Sequence, residues 1–94
     1  MSEVVNEVFQ TIRSRQRNPH PGSYTHQLLQ AGEDEILKKI GEEATEVILA
    51  AKSQGPQRLL EELADLTYHC LVLLASRALS PSDVEEELRR RNRP

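Results

Sequence analysis

The segment from Gln57 to about Ala78 most constrains the fold, because it is apolar around nearly its whole circumference when read as a helix. Its leucines recur at helical spacing: Leu59, Leu60, Leu63, Leu66, Leu71, Leu73 and Leu74. A helix of this kind is buried on most of its surface, and a chain of 94 residues has too few other helices to cover it. We therefore expect a dimer or a higher oligomer with this helix near its centre.

The other segments also carry helical patterns, and none shows the alternation of a strand. Helices are predicted over residues 2 to about 16, from Ser23 or Thr25 to Ala31, over 33 to about 53, and from Pro81 to about Arg91. Prolines and glycines separate them, as in Gly55-Pro56. The sequence predicts one all-α domain over residues 1–94, in which the two long helices form a hairpin and hairpins from two chains pair into a four-helix bundle.

Charge and cysteine content limit the class of protein. The net charge is −3 and no basic stripe is present, which argues against a duplex nucleic acid as partner. No apolar run approaches the roughly 18 residues of a membrane span, and no apolar segment of a secretory signal peptide follows Met1. Cys70 is the only cysteine, so we expect a reduced, cytoplasmic protein.

Two acidic clusters lie at the edges of the buried faces of the two long helices. At about 100° per residue, Glu43 falls on the apolar face, Glu46 lies at its border and Glu42 is outermost. On the second long helix, Glu62 and Asp65 occupy a similar flank. In an antiparallel hairpin the two clusters come level, because Glu46 lies about as many residues before the turn as Glu62 lies after it.

Carboxylates that converge in this way repel one another, so their pKa values should rise. A bound cation removes that repulsion, and oxygen ligands with no cysteine and little histidine predict Mg²⁺, with Mn²⁺ as a substitute. Two other interpretations compete. Each cluster alone is also typical of an ordinary acidic helix surface. A ferritin-like di-iron site requires Glu-x-x-His, and no histidine in the chain has a glutamate three residues before it.

The acidic pattern E-E-x-x-E, then fifteen residues, then E-x-x-D resembles that of the all-α MazG-like nucleotide pyrophosphohydrolases. A narrower resemblance, to the phosphoribosyl-ATP pyrophosphohydrolase family of histidine biosynthesis, covers roughly residues 4 to 91. It is carried by Ser23-Tyr24-Thr25, Gly32, Lys38-Lys39-Ile40-Gly41-Glu42-Glu43-Ala44-Thr45-Glu46-Val47, Ala50-Ala51-Lys52 and Glu62-Leu63-Ala64-Asp65-Leu66-Thr67-Tyr68-His69. The chain departs from the family pattern at Thr67 and Cys70, which concerns packing. No fused cyclohydrolase domain is present, so the stand-alone form is expected.

The resemblance implies hydrolysis of 1-(5-phosphoribosyl)-ATP to the corresponding AMP compound and pyrophosphate. It also implies that Glu43, Glu46, Glu62 and Asp65 hold Mg²⁺, and that Glu42 is a further ligand or the base that orients the water. The outermost position of Glu42 on its helix favours the second role.

Substrate contacts are expected from two further groups. Lys38 and Lys39 lie one turn before the acids and suit phosphate as point charges, although Lys39 also has the spacing of an ion pair with Glu42. The hydroxyls of Ser23, Tyr24 and Thr25 could bind a phosphate or ribose, or could cap a helix.

Roles for the two residues that end the motif follow from their positions on the second long helix. We expect His69 to be a buried, hydrogen-bonded core residue and Tyr68 to pack at an interface.

Two alternative functions remain at this point. One is a house-cleaning pyrophosphohydrolase of the same fold that acts on other (d)NTPs. The other is a helical dimerisation module without enzymatic activity.

Overall fold

Five α-helices and no strand make up residues 2–93, the part of the chain that the computed structural model describes. The helices are α1 (Glu3–Arg17), α2 (Tyr24–Ala31), α3 (Glu33–Ser53), α4 (Gly55–Ser76) and α5 (Pro81–Arg91). The predicted all-α class is therefore confirmed.

Local chemistry accounts for where the helices begin. Ser2 caps α1, because its hydroxyl accepts a hydrogen bond from the Val5 N–H at 3.2 Å. Ser23 caps α2 in the same way, with the His26 N–H as donor at 3.0 Å. At the start of α5, the Ser80 N–H donates to the carboxylate of Asp83 at 2.9 Å.

The ends of α4 differ from the prediction by two residues at each side. The helix begins at Gly55 instead of Gln57, because a proline in the first turn loses no helical hydrogen bond. Gly55 has φ +86°, a backbone conformation that favours glycine and reverses the chain between α3 and α4. The helix ends at Ser76, and Ala78 beyond it adopts a positive φ of 57°.

The two long helices α3 and α4 form the predicted antiparallel hairpin and pack along each other. Helices α1 and α2 cover only the end of the hairpin where α3 begins and α4 ends, which we call the closed end. The core lies there and draws on four helices: Phe9, Ile12, Leu28, Ile36, Leu71, Val72 and Ala75. Ile12, Ile36 and Val72 are its largest fully buried side chains.

The other end of the hairpin, which we call the open tip, comprises residues 47–61. Large apolar side chains remain exposed there: Ile48, Leu49 and Leu60. The sequence placed α4 near the centre of an oligomer, and a single chain leaves this part of it uncovered. Among the described helices, none combines the length and the hydropathy needed to cross a bilayer.

Candidate functional site

Three carboxylates from two helices meet where the closed end gives way to the open tip. Glu43 of α3 and Glu62 and Asp65 of α4 each offer an oxygen within 4.8 Å of the others. Glu62 is almost fully buried, with 2 % of its surface exposed, the Glu43 side chain is 14 % exposed, and Asp65 is open to solvent. The group is therefore anchored inside the protein and accessible from one side.

The dimensions of this group suit a small divalent cation. Mg²⁺ binds oxygen ligands at about 2.1 Å in an octahedron, so two ligands on opposite sides of one ion lie about 4.2 Å apart. Oxygens already within 4.8 Å reach that spacing by small side-chain rotations. All three donors are carboxylate oxygens, the type that hard cations prefer. The chain thus holds an acidic group that could bind a metal ion.

The other two acids of the predicted set lie outside this group of three. Glu46 is half-buried and close enough for its charge to raise the pKa of Glu62. Glu42 is exposed, as its outermost position on the helix predicts.

Burial raises the pKa of Glu62, because the charged carboxylate loses water in this position. The guanidinium of Arg58 opposes that rise and forms an ion pair with Glu62 at 2.6 Å. The negative charges of Asp65, Glu43 and Glu46 raise the pKa further. Glu62 is therefore a carboxylate whose surroundings favour binding of a proton or a cation.

Lys39 forms an ion pair with Glu43 at 3.9 Å, one helical turn away, so the alternative partner considered for it, Glu42, is not the one observed. Lys38 is exposed on the same helix. Beside Lys39 runs a surface groove of about 290 Å³ between α2 and α3, lined by Tyr24, Gln27, Leu28, Ala31, Glu35 and Lys39. The groove and the carboxylate group therefore share the Lys39 side chain as a border.

All three hydroxyls of Ser23-Tyr24-Thr25 have partners within the fold. The Ser23 hydroxyl caps α2. The Tyr24 hydroxyl is 2.7 Å from Nε2 of His69, and the Thr25 hydroxyl is hydrogen-bonded to the hydroxyl of Tyr68.

Tyr24 lies near the acidic residues. Burial is the main cause that raises its pKa, and the charges of Tyr68 and then of Glu43, Glu35 and Glu42 add to it. This segment therefore attaches α2 to α4 at the edge of the carboxylate group.

His69 is buried and hydrogen-bonded, as the sequence predicts. Its Nδ1 lies 2.7 Å from the backbone oxygen of Asp65. Tyr68 is half-buried, packs against the core and is hydrogen-bonded to Thr25 of α2. Its packing at an interface between chains stays a prediction.

A match to a known family decides how this arrangement is to be classified. The profile of the family described as phosphoribosyl-ATP pyrophosphohydrolase matches residues 5–92. The chain belongs to this family. Members named phosphoribosyl-ATP pyrophosphatase are similar over almost its whole length. One from Bacillus cereus is 49 % identical over 92 residues, which cover 98 % of this chain and 86 % of the relative. One from Bacillus cytotoxicus is 46 % identical over 91 residues, which cover 97 % and 85 %.

Two features of the site in this family member were not predicted from the sequence. The first is the ion pair between Arg58 and Glu62, whose i, i+4 spacing was a usable signal. The second is the hydrogen bond between Tyr24 and His69, which are 45 residues apart. No local pattern in the sequence indicates a contact over that separation.

Proposed function

We propose that the protein hydrolyses 1-(5-phosphoribosyl)-ATP to 1-(5-phosphoribosyl)-AMP and pyrophosphate, the second step of histidine biosynthesis. The observation that carries this proposal is the meeting of Glu43, Glu62 and Asp65 in a chain that belongs to the phosphoribosyl-ATP pyrophosphohydrolase family. The relatives named phosphoribosyl-ATP pyrophosphatase support the same substrate.

Glu43, Glu46, Glu62 and Asp65 are the proposed ligands of Mg²⁺, for which Mn²⁺ is a substitute. Glu43, Glu62 and Asp65 form a group whose dimensions suit such an ion, and Glu46 adds negative charge beside it. When bound, the metal neutralises charge on the phosphates and lowers the pKa of bound water. When no metal is bound, the guanidinium of Arg58 pairs with Glu62 and balances part of its negative charge.

Glu42 is the proposed general base, because a carboxylate that is exposed beside the metal ligands is free to accept a proton from water. Lys38 and Lys39 are the proposed contacts to the phosphates, as point charges that stabilise the leaving pyrophosphate. Ser23, Tyr24 and Thr25 complete the proposed substrate contacts. All three hydroxyls have partners within the fold, but Tyr24 is exposed whereas Ser23 and Thr25 are half-buried, which favours Tyr24 as the direct contact of the three.

The functional unit is proposed to be a homodimer, in which the open tips of two chains cover each other. The exposed leucines and isoleucine of the tip support this arrangement. Location in the cytoplasm stays a prediction from the sequence.

The test is a pyrophosphate-release assay with phosphoribosyl-ATP in the presence of Mg²⁺, then Mn²⁺, beside a panel of dNTPs. We expect release from phosphoribosyl-ATP and much slower release from the dNTPs. Faster turnover of the dNTPs would identify a house-cleaning enzyme instead. A protein that releases no pyrophosphate and whose melting temperature Mg²⁺ does not raise would be a helical module without a native metal site.

A variant separates the proposed metal role of Glu46 from a role in folding. Glu46→Gln keeps the shape of the side chain but removes its charge, so we expect at least a 100-fold loss of turnover, the order of effect that loss of one electrostatic catalytic group has. Far-UV circular dichroism should be unchanged. Undiminished turnover would show that Glu46 is not a ligand.

A further inference from the structure

One buried histidine joins the proposed substrate-binding segment to the helix that carries two of the carboxylates. His69 of α4 contacts the Tyr24 hydroxyl through Nε2 and the Asp65 backbone oxygen through Nδ1, each at 2.7 Å. The rings of Tyr24 and Tyr68 pack edge-on against the imidazole, with centroids 5.7 Å and 5.5 Å away. These contacts hold the imidazole in one orientation.

The partners of His69 decide which group donates in each hydrogen bond. The Asp65 backbone oxygen is a carbonyl and can only accept, so Nδ1 carries the proton. In the neutral ring Nε2 then has a lone pair, and the Tyr24 hydroxyl donates to it. The proton of Tyr24 is thereby engaged, and its phenolic oxygen offers only lone pairs to any other molecule.

Because Tyr24 lies beside a groove, the direction of its hydrogen bond to His69 affects which part of a substrate it can bind. Its side chain is 48 % exposed and lines the groove that Lys39 separates from the carboxylate group. A phosphate oxygen is an acceptor and finds no donor on Tyr24 in this state. A ribose hydroxyl or an amino group is a donor and matches the free lone pairs. The apolar side chains of Leu28 and Ala31 in the same groove also suit a nucleoside better than a phosphate.

We propose that His69 is a positioning residue that holds Tyr24 as a hydrogen-bond acceptor, and that Tyr24 binds a hydroxyl or amino group of the nucleoside part of the substrate. The phosphates then lie on the other side of Lys39, at the carboxylates. This inference rests on the proposed function and assigns one part of that substrate to one side of the site.

The competing explanation is that these hydrogen bonds only fasten α2 to α4. The chain offers a matched control, since the Thr25–Tyr68 hydrogen bond joins the same two helices without involving the Tyr24 oxygen. Tyr68→Phe removes that bond and should alter kcat/KM less than threefold.

Three variants test the proposal in the assay with phosphoribosyl-ATP and Mg²⁺. Tyr24→Phe deletes the acceptor and keeps the ring. His69→Asn keeps a donor for the Asp65 carbonyl but is too short to reach Tyr24, whereas His69→Gln reaches the position of Nε2 with an amide oxygen that accepts from Tyr24. We expect the first two to lower kcat/KM by about three- to tenfold, the range for one lost hydrogen bond, mainly through a higher KM.

Two further results follow if His69 acts through Tyr24. The double variant Tyr24→Phe with His69→Asn should have a kcat/KM no lower than that of the less active single variant, because both substitutions remove the same interaction. His69→Gln should recover most of the lost kcat/KM. Circular dichroism and melting temperature accompany each variant, and Tyr24→Phe, which changes a half-exposed side chain, keeps the test open if a His69 variant fails to fold.

Inhibition constants then locate the contact on the substrate. Tyr24→Phe should weaken inhibition by the product nucleotide phosphoribosyl-AMP by about three- to tenfold and should leave inhibition by pyrophosphate within twofold of wild type. Equal weakening of both inhibitors, additive losses in the double variant, or a loss in Tyr68→Phe as large as in Tyr24→Phe would each overturn the inference while the proposed function stands. A wild-type protein that does not turn over phosphoribosyl-ATP would overturn the proposed function, and the inference with it.

Discussion

The two ends of the α3–α4 hairpin differ in how far they bury their large apolar side chains. On α3, Ile36 at the closed end is 1 % exposed and Ile48 at the open tip is 59 % exposed. On α4, Val72 is fully buried while Leu60 is 62 % exposed. The difference arises because α1 and α2 cover only one end of the hairpin. Apolar periodicity therefore says that a face will be buried, but not what will bury it.

The carboxylate group lies at the boundary between these two ends. Glu43 is on α3 between Ile36 and Ile48, and the closed end supplies Tyr24 and His69 beside it. The open tip begins on the other side. A site in this position has one wall within the chain, and the proposed partner chain would complete the opposite wall.

The largest expected effect is at the closed end. Ile12→Ala removes a fully buried side chain and should lower the free energy of unfolding by about 2–5 kcal/mol, measured by urea denaturation. Val4→Ala on the same helix is the control, because Val4 is exposed and its loss should change that free energy by less than about 0.5 kcal/mol. Equal effects would show that the closed end is not the folded core.

The next effect concerns the open tip. Leu60→Glu places a charge on the face that the proposed partner chain covers, and it should weaken dimerisation by about 100-fold or more, since an unpaired charge buried at an interface costs several kcal/mol. Sedimentation equilibrium measures the mass, and circular dichroism checks that the helices persist. Val4→Glu, on an exposed position away from the tip, should leave the mass unchanged. If the Leu60→Glu protein had the same mass in solution as the wild type, the tip would not be the dimer interface.

At the boundary between the two ends, Glu62 should make the free energy of unfolding depend on pH when no metal is bound. The folded-state pKa of Glu62 is raised, so its contribution to stability is fully present below the unfolded pKa of about 4.5 and is lost as the pH rises through the folded pKa. The free energy of unfolding of wild type minus that of Glu62→Gln should therefore fall with rising pH in EDTA. The subtraction cancels carboxylates that have a lowered pKa and share no partner with Glu62, such as Glu33. A flat or rising difference would contradict the burial of Glu62, and added Mg²⁺ should reverse the trend by binding the ionised form.

The smallest effect is expected at the cap of α2. Ser23→Ala removes the hydroxyl that accepts from the His26 N–H and should cost about 1 kcal/mol of unfolding free energy, the usual value for a lost N-cap. Ser2→Ala, at the cap of α1, is a matched substitution at a residue outside the proposed site. If Ser23 also contacts substrate, its variant alone should raise KM. Equal KM values for the two variants would limit Ser23 to the capping role.

Much of the fold was predictable because helix formation and capping are local. The period of the apolar residues predicted all five helices, and the serine caps and glycine breaks set most of their ends. The flank of the acids was predictable for the same reason, since the angle between Glu42 and Glu43 depends only on helical geometry. Their meeting with Glu62 and Asp65 required one further assumption, an antiparallel hairpin, which the short α3–α4 connection makes natural.

What local patterns could not show is how distant segments meet. Packing of α2 against α4 brings Tyr24 to His69, and no periodicity encodes a contact between residues 45 positions apart. Which end of the hairpin the short helices cover likewise depends on the sum of many weak apolar contacts, and these exist only once the chain has folded. The residue types and the helical period therefore specified the carboxylates and their side of the helix. Only the tertiary structure decided that Glu62 is buried and that the site has one wall within the chain.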